Sequence, residues 1–230
     1  MPAEDRTRDF FDNYARDFDA IYGNRNGVIN SAVNRLFRKS MKLRYVKTIE
    51  GCSPIEGKSV LDIGCGPGHY SVTLAKRGAG RMLGIDVAEG MLRLATEHAR
   101  QAGVADSCEF RKADFYTFSA ANPFDYLILM GLMDYMPDPK RVIEKAISLT
   151  RSKAFFSFPV DGGLLAWQRS KRYQKRCDLF LYSQDQLRAL FSSFQGINAN
   201  IELISRDFFV TVSVASKPVG GRKEPAPLQS

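Results

Sequence analysis

The chain has 230 residues, 44% hydrophobic and 25% charged, with a formal net charge of +8. That length suits one domain with a substantial core and is short for two. The composition excludes a fibrous or wholly disordered chain, and no run reaches the ~18–20 apolar residues of a membrane-spanning helix.

The N-terminus is charged (Glu4, Asp5, Arg6, Arg8, Asp9) and lacks the apolar core of a signal peptide. Four cysteines, Cys52, Cys65, Cys108 and Cys177, form no C-x-x-C pair. They read as free thiols of a cytoplasmic protein. With only His69 and His98 besides, no metal site is expected. The positive charge is concentrated in two runs. One spans Arg25, Arg35, Arg38, Lys39, Lys42, Arg44 and Lys47; the other spans Arg169, Lys171, Arg172, Lys175 and Arg176. Each reads either as a solvated helix face or as a surface for an anionic partner.

In chain order, Phe11, Tyr14, Phe18 and Tyr22 recur at spacings of three and four and predict a helix over 7–22. Gly23 to Gly27 break it, and a second helix is expected over 28–50. From Lys58 strands and helices alternate. Strands are predicted at Val60–Ile63, Met82–Asp86, Glu109–Lys112, Phe124–Met130 and Ala154–Phe158, and a closing hairpin at Glu202–Ser205 and Phe208–Ala215. Helices are predicted at Tyr70–Arg77, Ala88–Ala102, Pro139–Thr150 with Asp138 as N-cap, and Ser183–Phe194. This alternation argues for an α/β fold with a parallel sheet covered on both faces. The last pair adds an antiparallel strand. The expected organisation is a helical lid (1–57), a core (58–216) with a substrate-covering insertion at about 159–182, and a disordered tail (217–230) rich in Pro and Gly.

The strongest signal is the segment Val60-Leu61-Asp62-Ile63-Gly64-Cys65-Gly66-Pro67-Gly68-His69-Tyr70. An apolar strand runs into a glycine turn and then a helix, so a ligand can approach the backbone closely. Asp86 lies 20 residues beyond Gly66, at the end of the second strand. A carboxylate there can accept both hydroxyls of a nucleoside ribose. The spacing is G-x-G-x-G rather than the G-x-G-x-x-G of dinucleotide sites. Asp62 directly before the turn would repel a pyrophosphate and attract an ammonium group. Both features favour S-adenosylmethionine over NAD.

These residues resemble the class I S-adenosylmethionine-dependent methyltransferases over about residues 58–160. VLDIGCGPGHY is similar to the family's first motif, GIDVAEGML to its second, KADF to its third and FDYLILMGLMDYMPDP to its fourth. The resemblance implies a Rossmann-like three-layer fold with a seven-stranded, mostly parallel sheet. It implies S-adenosylmethionine as donor, S-adenosylhomocysteine as product, and no metal. Gly64, Cys65, Gly66 and Gly68 would line the methionine portion with Asp62. Asp86 would hold the ribose, Val87 and Met91 would border the adenine, and Asp114 would accept from its amine with Phe115 beside the ring. Met130 would lie near the sulfonium, and Tyr14 of the lid would close over the donor. The termini also resemble, more loosely, magnesium-protoporphyrin O-methyltransferases. Gly131 and Tyr135 depart from that family's Asp and His, so its substrate is not carried over.

Ligands of open α/β sheets sit beyond the carboxyl ends of the strands. Asp134, Tyr135 and Tyr22 are the candidate catalytic residues there, as a base or as groups orienting an acceptor. The expected acceptor is a small acidic or lipophilic molecule methylated on oxygen, with peripheral membrane contact through the basic helices. The alternatives are a nucleic-acid methyltransferase or a non-catalytic cofactor-binding or docking protein. Met130-Gly131-Leu132-Met133 lacks the Asn/Asp-Pro-Pro-aromatic motif of exocyclic-amine enzymes, which makes nucleic acid an unlikely partner.

Overall fold

The computed structural model describes residues 29–162 and 179–215, with side chains from residue 39 onward. The predicted helix over 7–22, with Tyr14 and Tyr22, lies outside the described residues. So do the second basic run and the tail. No helix of the described residues is long and apolar enough to cross a membrane.

Five helices and seven strands make up this part of the chain. The helices are α1 (Ile29–Gly51), α2 (His69–Lys76), α3 (Glu89–Gln101), α4 (Pro139–Ser148) and α5 (Gln184–Ser192). The strands are β1 (Ser59–Ile63), β2 (Arg81–Asp86), β3 (Cys108–Lys112), β4 (Phe124–Leu129), β5 (Thr150–Pro159), β6 (Ile197–Ile204) and β7 (Asp207–Val214). They form one sheet in the order β3-β2-β1-β4-β5-β7-β6. The first five strands pair in parallel, and β7 runs antiparallel to both its neighbours. The expected Rossmann-like α/β sheet is therefore present, with β7 as its reversed strand. The chain order reverses between β1 and β4, where a crevice opens in sheets of this kind.

Period-two alternation in the buried strands divides the core between the two faces. On one face Leu61, Ile63, Leu127, Leu129, Phe156 and Phe158 pack with Val142 and Ile143 of α4 and Leu187 and Phe191 of α5. On the other, Val60, Met82, Tyr126, Ile128 and Phe155 pack with Ile49 of α1 and Leu74 of α2. The caps match the sequence. Asp138 accepts the Arg141 N–H ahead of Pro139, and Ser183 and Gln186 form a capping box.

Two strands start four or more residues earlier than expected. β5 begins at Thr150 rather than Ala154, and α4 stops at Ser148. Thr150 already pairs with Phe124 of β4, and after a register shift Lys153 pairs with both Tyr126 of β4 and Ser213 of β7. β6 begins at Ile197 rather than Glu202. Asn198 and Asn200 are poor strand formers, yet Ile197, Ala199 and Ile201 alternate with them and pack on the core.

The stems of the 159–182 insertion are closed on each other. Val160 bridges Tyr182 in parallel, and Asp161 N–H donates to the Tyr182 carbonyl at 2.8 Å. Phe156 sits at the centre of the larger core, fully buried against Phe158 and Phe191. Phe156→Ala is expected to lower the unfolding free energy by about 3–5 kcal/mol, measurable as a lower urea midpoint at unchanged slope.

Candidate active site

The turn after β1 is fixed by backbone bonds before any side chain contributes. Gly64 and Cys65 N–H both donate to the Ile85 carbonyl, at 2.8 and 3.0 Å, and Gly68 N–H donates to the Cys65 carbonyl at 3.0 Å. Gly64, Gly66 and Gly68 all have positive φ, at 66°, 52° and 77°. They serve different purposes. A Cβ at Gly68 would press on Ala95 at 3.0 Å and Phe110 at 3.1 Å, so its small size lets α2 approach α3 and β3. A Cβ at Gly64 would meet Leu132 at 3.2 Å. At Gly66 a Cβ would meet nothing within 4 Å. That part of the turn faces open space.

Asp86 closes the turn from the end of β2. Its Oδ2 accepts the Gly66 N–H and its Oδ1 the Ala88 N–H, each at 2.9 Å. His98 Nδ1 lies 2.9 Å from the Pro67 carbonyl and ties the same bend to α3.

Asp62 is 2% exposed and accepts from Ser71 Oγ at 2.8 Å. Burial raises its pKa to about 7 against the opposing Ser71 hydrogen bond, and the Asp86 charge adds to the rise. Burial first, then the charges of Asp62 and Asp86, also holds the Cys65 thiol well above its usual range. Cys65 is thus a neutral thiol at this turn, and no thiolate competes as a nucleophile.

The remaining predicted residues fall into two groups. Val87, Asp114, Met130, Gly131 and Tyr135 are half-buried around the carboxyl ends of β2, β3 and β4, on the same rim as Gly64, Gly66 and Asp86. Met91, Phe115 and Asp134 are buried, at 2%, 4% and 2% exposure. Asp114 Oδ1 accepts the Tyr116 N–H at 2.8 Å and so shapes the turn after β3. Phe115 lies in the core with Lys145 Nζ 5.3 Å from its ring, rather than presenting an open face. Asp134 lies beneath the returning stem of the insertion, its carbonyl accepting the Phe180 N–H at 2.9 Å.

The sequence left the basic run open between a solvated helix face and a surface for an anionic partner, and the structure separates Arg44 from its neighbours. Lys39 and Lys42 are exposed and Lys47 pairs with Glu202 at 2.8 Å, but Arg44 is only 9% exposed. Its Nη1 donates to Ser157 Oγ at 3.1 Å and lies 3.8 Å from where a Gly131 Cβ would sit. Arg44 and Gly64 therefore flank the same bend, Gly131-Leu132, after β4. The spacing Ser40, Arg44, Thr48 was the available signal. These residues share one helix face, and all three are buried.

A family model described as a methyltransferase domain matches residues 55–169, half of the chain. The chain belongs to this methyltransferase family. The match includes the glycine turn, Asp86 and the bend after β4. Among curated relatives, the ubiquinone biosynthesis O-methyltransferase of Coxiella burnetii is 36% identical over 114 residues, 49% of this chain and 48% of that protein. That of Neisseria meningitidis is 36% identical over 113 residues, 47% of each. The methyltransferase chain thus matches about half the length of these relatives. The crystal structure of magnesium protoporphyrin IX methyltransferase from Synechocystis with bound S-adenosylmethionine superimposes with a TM-score of 0.74 at 18% identity, covering 94% of this chain and 98% of that one. An O-methyltransferase family 2 protein from Planctomyces limnophilus, in complex with apigenin, gives 0.59 at 17% identity, covering 76% and 61%. At these identities the likeness establishes the fold.

Asp62 makes stability depend on pH in a defined direction. With a folded pKa of about 7 against an ordinary value of 3.8, the folded protein retains a proton that the unfolded chain releases. Stability conferred by that proton is full below the unfolded value and is lost as pH rises through the folded one. Asp62→Asn keeps an acceptor for Ser71 without the charge. It is expected to melt above wild type at pH 8, with the gap closing towards about pH 4. Thermal scans across this range check it; parallel pH profiles for the two proteins would contradict it.

Proposed function

We propose that the chain is an S-adenosylmethionine-dependent methyltransferase that methylates an oxygen of a small acceptor, a phenol of the quinone-precursor class. One observation carries the reading: the glycine turn presents open space at Gly66, directly against the carboxylate of Asp86. A ligand main chain and a ribose fit such a cradle, and the glycine leaves no side chain in the way. The names of the ubiquinone-biosynthesis relatives support the acceptor class, and the donor-bound structural neighbour supports the donor.

When bound, the donor supplies an electrophilic methyl carbon on a sulfonium, open to in-line attack. The protein's part is to grip, align and exclude water. Each oxygen of Asp86 accepts one backbone N–H, which aims the carboxylate at the place where the ribose hydroxyls would donate. Asp62 answers the donor ammonium. A cation beside it favours its charged form, so binding near neutral pH would release a proton. Arg44, across the Gly131-Leu132 bend, answers the donor carboxylate. Val87 and Asp114 border the adenine, and Met130 at the end of β4 borders the methyl group.

The acceptor phenol gives its proton to solvent and its oxygen takes the methyl group as the sulfur–carbon bond breaks, S-adenosylhomocysteine being the leaving group. Tyr135, half-buried on the bend, orients that oxygen. Its neighbour Asp134 is shut beneath the insertion stem and supports the bend from below.

Calorimetry of the full chain with S-adenosylhomocysteine tests the reading. Binding is expected, and Asp86→Asn is expected to weaken it at least about tenfold, the loss of hydrogen bonds to a charged acceptor. Transfer of labelled methyl to a dihydroxybenzoate is the matching activity assay. No heat with either donor or product would overturn the assignment.

A further inference from the structure

Arg44 is a buried guanidinium at a rim where an anion is expected, and its own helix does not hold it in place. Two residues distant in the chain, Asp207 and Ser157, do. Asp207, the first residue of β7, is 3% exposed, and its Oδ2 lies 3.7 Å from Arg44 Nε. The same oxygen accepts a hydrogen bond from Ser40 Oγ, one turn earlier on α1. Ser157, on β5 and 1% exposed, accepts from Arg44 Nη1 at 3.1 Å and from Gly131 N–H at 2.8 Å. One hydroxyl oxygen therefore links the guanidinium to the backbone of the bend that flanks Gly64.

This network leaves part of the guanidinium unused. Nε is buried and has no hydrogen-bond partner among the described residues. Asp207 sits beside it as an ion-pair neighbour at 3.7 Å, beyond hydrogen-bond reach. Charge compensation without bond saturation suits a group that must stay buried yet accept another anion. A long arginine side chain has many rotamers and would swing to water without a fixed counter-charge.

We propose that Asp207 and Ser157 are positioning residues for Arg44. They hold its planar fork towards the crevice so that it meets the carboxylate of the donor's amino-acid portion. The proposal rests on the donor reading given above. It makes the β7 hairpin, remote from the glycine turn, a determinant of donor affinity. Neither residue touches the donor; both act through Arg44.

The test compares two ligands by calorimetry: S-adenosylhomocysteine, and 5′-methylthioadenosine, which keeps the nucleoside but lacks the amino-acid portion. Asp207→Asn and Ser157→Ala are each expected to weaken S-adenosylhomocysteine about tenfold while leaving 5′-methylthioadenosine unchanged. In an Arg44→Ala background both substitutions should lose their effect, because the group they position is gone. Equal weakening of both ligands, unchanged affinity for S-adenosylhomocysteine, or full additivity with Arg44→Ala would overturn the proposal. Ser157→Ala removes a single oxygen, so it provides the decision if Asp207→Asn does not fold. A wild-type chain that binds neither ligand would instead remove the donor reading itself.

Discussion

The carboxylate of Asp86 against the Gly66 backbone is the constraint on which the site depends. Two adjacent parallel strands end at the same level, and one side chain ties the turn after β1 to the end of β2 through two backbone N–H groups. Gly66 needs its positive φ to offer that N–H, and the bend at Pro67 is held from outside by His98. The turn is therefore rigid before a ligand arrives. Preorganisation of this kind reduces the ordering that binding would otherwise require.

Around this anchor a buried acid lies by the glycine turn and a buried guanidinium by the bend after β4. Asp62 lies under the turn on the α1/α2 face of β1, near neutrality in pKa because burial opposes its charge. Arg44 reaches the end of β4 from α1, across the Gly131-Leu132 bend from Gly64. A zwitterionic amino-acid group is the natural complement to an acid and a guanidinium set apart in this way. Between buried groups electrostatic interactions are stronger than at the surface.

The bend after β4 is held from several directions. Its Gly131 N–H is bound to Ser157, its Leu132 packs over Gly64, and the Asp134 carbonyl receives Phe180 from the returning stem of the insertion. The bend is thus coupled to β5 and to the insertion, whereas the glycine turn is held by β2 and α3.

Local pattern determined much of this protein. The apolar runs, the glycine spacing, Asp86 at the end of its strand and the caps at Asp138 and Ser183 are all short-range features, and each sits where its chemistry requires. The resemblance of four ordered motifs supplied the family. Tertiary structure alone decided which polar residues face inward. Arg44 lies in a basic run that reads as a surface feature, solvated or docking, and its partners Ser157 and Asp207 are 113 and 163 residues away in the chain. Phe115 and Asp134 belong to the motifs in the sequence and are buried in the fold. Sequence spacing fixes a residue's place on a strand or helix. Which face is covered, and by what, depends on contacts between elements distant in the chain, and those exist only once the sheet has closed.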